Sequence, residues 1–351
     1  MNPIQVAIAG AGYSTRVFHL PFLLNDSKFS VKKIYERSSN NAQSWAPNAQ
    51  IVRSFDELLT DEIDLVIITT PNQTHYDMAK ATILAGKHVL VEKPLVPTAA
   101  QALELDTLAK QQNVVLSVYQ NRRWDAAAAT ARTVLEQGLI GKPVDCEIRI
   151  ERYAKGKNVK AWKETGEKGT GLVYDLGVHL IDQAVHLFGK PNAIFADIRY
   201  QHEDALSDDN FCIHLYYEDG LKVALHATKY ARETGKHFVL HGTLGSYVKQ
   251  NVDVQEGLLT QGVQPIGDWN ALPEDQWGIL HTEIDDEIVR RPFANTQTSY
   301  QALYDNLAAA IQQKQPLAVT AEQAAYVLSL IEKAFDSAEL GKKLSLAHKC
   351  G

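Results

Sequence analysis

The sequence is short of cysteine, of long apolar runs and of concentrated positive charge, and each shortage excludes a class of protein. Its 351 residues include 3 cysteines. Cys146, Cys212 and Cys350 are far apart and odd in number, which fits neither a disulfide framework nor a metal cluster. A reducing cytoplasm is the expected compartment, with Cys146 and Cys212 as small buried side chains in strand-like segments. The longest apolar runs, such as Leu65–Ile68, are strand-length, far short of the roughly 20 residues of a membrane span. No membrane partner is therefore expected. The N-terminus passes straight into an apolar segment with no basic region, so no secretory signal is expected. Lysine and arginine are scattered, in runs no longer than pairs such as Arg122–Arg123 and Arg290–Arg291, and the formal net charge is -7. Nucleic acid, which needs a concentrated positive face, is not an expected partner. Internal repeats and low-complexity linkers are also missing.

What is present is an ordinary globular composition, 45% hydrophobic and 22% charged, in a chain long enough for two domains. From Ile4 to Tyr119 short apolar runs alternate with helical patterns. The runs are Ile4–Ala9, Phe29–Tyr35, Leu65–Thr69, His88–Glu92 and Val114–Tyr119, and the clearest helices span His75–Ala85 and Thr98–Gln112. Gly86 supplies a helix stop and Thr98 an N-cap. This alternation predicts an α/β fold with a doubly wound parallel sheet over about residues 1–122.

The first strand ends in Gly10-Ala11-Gly12-Tyr13-Ser14-Thr15, a dinucleotide fingerprint with Thr15 in place of the third glycine. Gly10 permits the tight turn, and Gly12 lets the backbone approach a pyrophosphate held by N–H groups at the helix N-terminus. Thr15 implies slightly relaxed packing of helix on strand. The second strand ends in Tyr35-Glu36-Arg37-Ser38-Ser39. Glu36 suits the ribose hydroxyls of NAD, whereas Arg37 and Ser38 suit the 2′-phosphate of NADP. The balance leans to NADP, with NAD open. Thr70, Pro71, Asn72 and His75 follow the third run, and Glu92-Lys93-Pro94 follows the fourth. Both lie at carboxyl ends of strands, where open α/β sheets bind ligands. Lys93 is either functional or paired with Glu92 in a structural salt bridge.

Three features together resemble the glucose–fructose oxidoreductase/inositol dehydrogenase (Gfo/Idh/MocA) family. They are the Gly10-x-Gly12 turn, Glu92-Lys93-Pro94, and the stretch from Gly169 to Asp182 with its Asp175-x-Gly177-x-His179-x-x-Asp182 pattern. The phrases from Leu116 to Asp125 and from His186 to Pro191 are most similar to the branch containing bacterial NADP-dependent scyllo-inositol dehydrogenases. The resemblance spans essentially the whole chain. It implies a Rossmann domain followed by an α+β domain, here 123–351, with a large open, mostly antiparallel sheet used for homodimer or homotetramer contacts. The sequence agrees, because strand-like runs Val144–Tyr153, Ala193–Arg199, Asn210–Tyr217, Leu221–Thr228 and Lys236–His241 follow a helix at Ala126–Gln137, with Glu218-Asp219-Gly220 as a hairpin turn. Helices near Ser299–Gln312 and Thr320–Gly341 read as packing elements that can lie back on the first domain.

On a helix over Leu172–Phe188, Asp175, His179, Asp182 and His186 fall within about 60° of one another, opposite an apolar face. Their types favour proton chemistry over a solvated face. A zinc site is a weaker alternative, and none is expected. Moving a hydride from an alcohol carbon leaves a hydroxyl proton, which His179 would take as general base. Asp175 would orient the ring or bind a substrate hydroxyl. Lys93, supplied by the coenzyme domain, would stabilise charge on the reacting oxygen. The resemblance implies the same three roles. Asn121 is expected at the coenzyme, and Tyr119, Tyr153, Trp162 and Lys163 at a sugar, polyol or cyclitol. The polar stretch Ala154–Thr170 reads as a loop over the site. Same-fold reductases of a dihydrodiol or bile pigment, and a nonenzymatic NAD(P)-binding regulator, are the rival readings. The presence of lysine, aspartate and histidine speaks against the last.

Overall fold

The computed structural model describes residues 2–154, 156 and 161–346. The chain forms two compact units. The first runs to Asn121 and takes in Val254–Asn270 and Ser299–Tyr326. The second holds Arg122–Asp253, Ala271–Thr298 and the chain from Val327 onward. Two stretches from the later part of the chain therefore complete the first unit, one of them carrying the helix Gln301–Gln313.

The first unit contains β1 (Ile4–Ala9), β2 (Phe29–Tyr35), β3 (Gln50–Val52), β4 (Leu65–Ile68), β5 (His88–Val91) and β6 (Leu116–Val118). They form one sheet in the order β3-β2-β1-β4-β5-β6, and every pair is parallel. Five strands follow the apolar runs of the sequence. β3, three residues long, is too short to carry a periodic signal. Val6, Ala7, Ile8 and Ala9 are fully buried, as expected of a parallel strand covered on both faces. The strand order reverses between β1 and β4, the switch point at which ligands of open α/β sheets bind. Gly10 and Thr69 leave the two strands there. Between β5 and β6 the helix Ala99–Gln112 is capped by Thr98, whose side chain accepts from the Gln101 N–H.

The second unit contains β7 (Pro143–Glu151), β8 (Ala193–Arg199), β9 (Asn210–Tyr216), β10 (Lys222–Thr228), β11 (Phe238–Gly242), β12 (Gly245–Lys249), β13 (Gly278–Ile284), β14 (Glu287–Phe293) and β15 (Leu344–Ser345). Their order is β14-β13-β12-β11-β7-β10-β9-β8-β15. β7 and β10 pair in parallel and the other pairs are antiparallel. The sequence shows β7 to β11 within a residue or two. It does not show β12 to β15, because β14 is a charged edge strand and β15 has two residues. One face buries Cys146, Ile148, Ile213, Leu215, Val223, Leu225 and Leu240. The helices Ala126–Glu136 and Val178–Phe188 lie against this sheet, and Val134, Leu180, Ile181 and Ala184 are buried with it. Each such Leu, Ile or Val contributes about 1.5–3 kcal/mol. The other face alternates half-buried Glu147, Arg149, His214, Tyr216, Lys222 and His226. No described helix is long and apolar enough to cross a membrane.

His237, just before β11, gives this sheet a pH dependence. It is 4% exposed, and Nδ1 donates to the Arg149 carbonyl at 2.6 Å. Burial, outweighing that bond and helped by the charges of Arg122 and Lys249, pushes its pKa down to about 4 from 6.5. The folded state keeps it neutral where the unfolded chain binds a proton. Its contribution is thus complete above pH 6.5 and is lost as pH falls towards 4, by up to about 3 kcal/mol. Urea unfolding of wild type and His237→Gln at pH 7.5 and 4.5 should show the gap between them shrinking at acid pH. Parallel pH dependences would refute this. The comparison cancels the opposite contribution of Asp208, whose pKa is raised to about 7 by burial.

Candidate functional site

The glycine turn is built for a close backbone approach. Gly10 has φ +115°, and a Cβ there would sit 2.6 Å from Thr69 Oγ1. A Cβ on Gly12 would meet no atom within 4 Å, leaving the room that a pyrophosphate needs. Thr15, in the third-glycine position, is fully buried. Its hydroxyl donates to the Gly10 carbonyl at 2.8 Å and lies 2.8 Å from Thr69 Oγ1. The following helix opens as a π turn, Thr15–His19, before Leu20–Leu24. Tyr13 is 36% exposed, with its hydroxyl 2.8 Å from Thr260 Oγ1.

Glu36 is buried at the end of β2. Its carboxylate accepts from the Ser39 hydroxyl and from the N–H groups of Asn41 and Ala42, at 3.0 and 3.2 Å for the latter two. Burial opposes its ionisation, but these donors and the nearby Arg53 hold its pKa below the usual carboxylate value. Glu36 thus serves the N-terminus of the helix Asn41–Trp45. Arg37 and Ser38 beside it are exposed. Arg53, which the motif does not mark, shapes this loop by donating to the Glu36 and Ser39 carbonyls at 2.6 and 2.5 Å.

Glu92 and Lys93 follow β5, and the Lys93–Pro94 peptide is cis. The Glu92 carboxylate accepts from Ser14 of the glycine turn, lies 3.1 Å from His19 Nε2, and accepts from the Lys93 N–H at 3.2 Å. Burial opposes its charge, but His19, Ser14 and Lys93 overcome this and lower its pKa. Behind it, His19 Nδ1 is 2.8 Å from Tyr304 Oη, and the Tyr304 and Tyr119 hydroxyls both donate to the Phe18 carbonyl at 2.8 Å. Glu92 therefore joins the glycine turn directly to the Lys93 backbone, with His19 linking it to a buried aromatic core. Sequence reasoning missed His19 and Tyr304. His19 lies one turn past Thr15 and could have been sought there, but no motif marks Tyr304.

Other expected coenzyme residues take supporting positions. His75 is fully buried, its ring nitrogens 3.0 Å from the Pro94 carbonyl and 2.8 Å from the Thr70 carbonyl. Burial lowers its pKa. It braces the turns after β4 and β5 instead of facing outward. Asn72 and Asn121 are buried, and Pro71 is exposed. Thr70 Oγ1 accepts from the Thr74 hydroxyl at 2.7 Å. Tyr119, expected at the substrate, is 1% exposed and lies in the aromatic core.

In the second unit the expected helix from Leu172 does not run evenly. Its first turn, Val173–Gly177, is π-helical, and the α-helix starts at Val178. Such turns recur at functional sites. Asp175 lies in the π turn, and His179, 4% exposed, lies in the first α turn. Gly177 admits the Phe211 ring, which would lie 3.3 Å from a Cβ. Lys163 Nζ is 2.7 Å from Asp175 Oδ1 and 5.5 Å from the Trp162 ring centre. These three residues come together as a polar and aromatic cluster. Tyr153 is 40% exposed, with the Arg232 guanidinium 3.7 Å over its ring. Of the expected loop 154–170, residues 155 and 157–160 lie outside the described residues.

The polar stripe on this helix divides by partner. Asp182 accepts two bonds of 2.7 Å from Arg123, with both side chains buried, and so belongs to an ion pair. His186 is exposed at the helix end. Asp175 carries the Lys163 ammonium, and His179 is buried in the turn that follows.

Two family models match the chain. An oxidoreductase NAD-binding Rossmann fold covers residues 4–120, and the C-terminal alpha/beta domain of the same GFO/IDH/MocA family covers 132–346. The uncharacterized oxidoreductase YdgJ of Escherichia coli is 36% identical over 98% of this chain and 99% of its own length. The NADP(+) scyllo-inositol 2-dehydrogenase IolW of Bacillus subtilis is 33% identical over 99% and 97%. A solved Bacteroides fragilis structure, described as an oxidoreductase, has a TM-score of 0.90 at 41% identity, covering 98% of this chain and 100% of that one.

Proposed function

The chain belongs to the GFO/IDH/MocA family of NAD(P)-dependent oxidoreductases, and on that premise we propose that it oxidises a ring hydroxyl of a cyclitol or sugar, reversibly, with NADP preferred. The open approach at Gly12, the glycine turn and the exposed Arg37 and Ser38 fit such a coenzyme. When bound, its nicotinamide accepts or returns the hydride. The chain's own residues manage the proton and the charge. His179 takes the hydroxyl proton, Asp175 orients that ring or a substrate hydroxyl, and Lys93 stabilises negative charge on the reacting oxygen. The observation that carries the reading is the first turn of the helix. It places Asp175 in the π turn and the buried His179 four residues on in the first α turn, with the Lys163 ammonium on Asp175.

The coenzyme preference rests on Glu36. Its carboxylate is occupied by three donors of its own chain, which draws it away from a 2′-phosphate beside Arg37. The similarity to the NADP(+) enzyme IolW points the same way. A homo-oligomer through the half-buried sheet face that carries Glu147 and His214 belongs to the same proposal.

Inositols, aldoses and linear polyols assayed by absorbance of NADPH and NADH test this reading. Turnover of a cyclitol or sugar with NADP is expected. Loss of Arg37 as Arg37→Ala should cost kcat/KM for NADPH roughly 10- to 100-fold, the worth of a charge-assisted bond, while sparing NADH. A tenfold preference for NADH would refute the NADP assignment. No turnover of any polyol with either coenzyme would refute the substrate class.

A further inference from the structure

The first turn of the 173–188 helix has an anchor that no motif marks. Asp208, just before β9, is 2% exposed. Its Oδ2 accepts from the Val173 N–H at 2.7 Å, and its backbone carbonyl accepts from the Leu172 N–H at 2.9 Å. Two of the N–H groups that a helix start leaves unpaired therefore end on one residue. The neighbours serve the same contact. Ser207 Oγ accepts from the Gly166 N–H at 3.1 Å and lies 3.0 Å from Thr170 Oγ1. Gly171 has φ +88°, and a Cβ there would fall 2.0 Å from Asp208 Oδ1. Only glycine at 171 lets this carboxylate reach the helix.

Keeping a carboxylate here is costly. Burial raises its pKa to about 7 against the opposing Val173 and Leu172 N–H groups and the charge of Lys229, which is itself paired with Glu164 at 3.1 Å. The chain accepts that cost at the turn that bears Asp175, two residues beyond Val173. Lys163 holds the Asp175 side chain, and Asp208 holds the backbone under it.

We propose that Asp208 is a positioning residue: its carboxylate sets the π turn and so the placement of Asp175 and His179. The proposal rests on the roles given to those two residues above. Expected results are a fall in kcat per folded active site of roughly 10- to 100-fold in Asp208→Ala, the scale of a small misplacement, with NADPH affinity within twofold of wild type. The primary deuterium isotope effect on kcat/KM should change, which a smaller folded fraction would not cause. Asp208→Asn, which retains an acceptor for Val173, should recover most of the rate. Gly171→Ala, which displaces the carboxylate, should reproduce the loss, and it carries the test where Asp208→Ala does not fold.

Hydrogen exchange separates this inference from the proposed reaction. Amides 172–177 should exchange faster in Asp208→Ala and Gly171→Ala than in wild type, whatever the substrate proves to be. Unchanged exchange there, or kcat within twofold of wild type in both variants of an active enzyme, overturns the proposal. So does an Asp208→Asn enzyme no faster than Asp208→Ala. A wild type inactive on every polyol counts against the reaction alone, and exchange then decides for Asp208.

Discussion

Lys93→Ala and His179→Ala should each lower kcat by roughly 10²–10⁴-fold while NADPH still binds. The size follows from what each group supplies. On the proposed roles, removing His179 would leave the hydroxyl proton to water, and general base catalysis by a placed imidazole is worth that range. On the same proposal, removing Lys93 would take a cation from the oxygen on which negative charge grows, an interaction stronger in the transition state than in the ground state. The coenzyme contacts proposed at Gly12 and Arg37 do not involve either side chain. Coenzyme affinity, read by NADPH fluorescence, should therefore change little. The Glu92 bonds to Ser14 and His19 do not depend on the lysine side chain, so its removal should leave the glycine turn in place. Near-wild-type turnover in both variants would remove them from the mechanism.

A second large effect concerns stability. Arg123 and Asp182 form a bidentate pair with side chains 4% and 2% exposed. Removing one partner leaves a buried charge without its counter-ion, at a cost of about 3–5 kcal/mol. Arg123→Ala and Asp182→Ala should each lose this much in urea unfolding. The double variant Arg123→Met/Asp182→Leu should recover most of it, because no charge then remains to be desolvated. Single variants costing under about 1 kcal/mol would mean that the pair behaves as a surface contact. Gln183 Nε2 also donates to the Arg122 carbonyl at 2.7 Å. The pair therefore fastens the middle of the helix to the segment that opens the second unit, and its loss should loosen the His179 turn as well.

The fold was largely legible because its signals are local. The runs that became β1 and β4 are apolar over four or more consecutive residues, and Thr98 and Gly86 bound the neighbouring helices by short-range bonding. The short edge strands β3 and β15 carry no such signal. The proposed site rests on residue types whose use is limited. A lysine after a buried strand and an Asp–His pair on an apolar helix are both of this kind. It was less legible where a polar side chain had several possible partners. Asp182 and His179 share one stripe on a helical projection, and only the folded chain pairs Asp182 with Arg123. Glu36 read equally as a ribose ligand and as a repulsive neighbour of a phosphate, yet its carboxylate caps a helix. Tyr119 read as a wall of the substrate site, but Tyr304, 185 residues later in the chain, helps enclose it in the core.

By itself the sequence determined the parallel sheet with its glycine turn, the placing of Lys93 after a buried strand, and the helix that carries Asp175 and His179. These follow from backbone preferences and periodicities that act over a few residues. Tertiary structure alone decided which of the polar groups are committed elsewhere. Arg123 claims Asp182 across 59 residues and Asp208 reaches Val173 across 35. The reason is that burial and hydrogen bonding depend on what the folded chain brings alongside a group. A carboxylate has the same chemistry in either place, and its partners decide whether it holds the structure or serves the reaction.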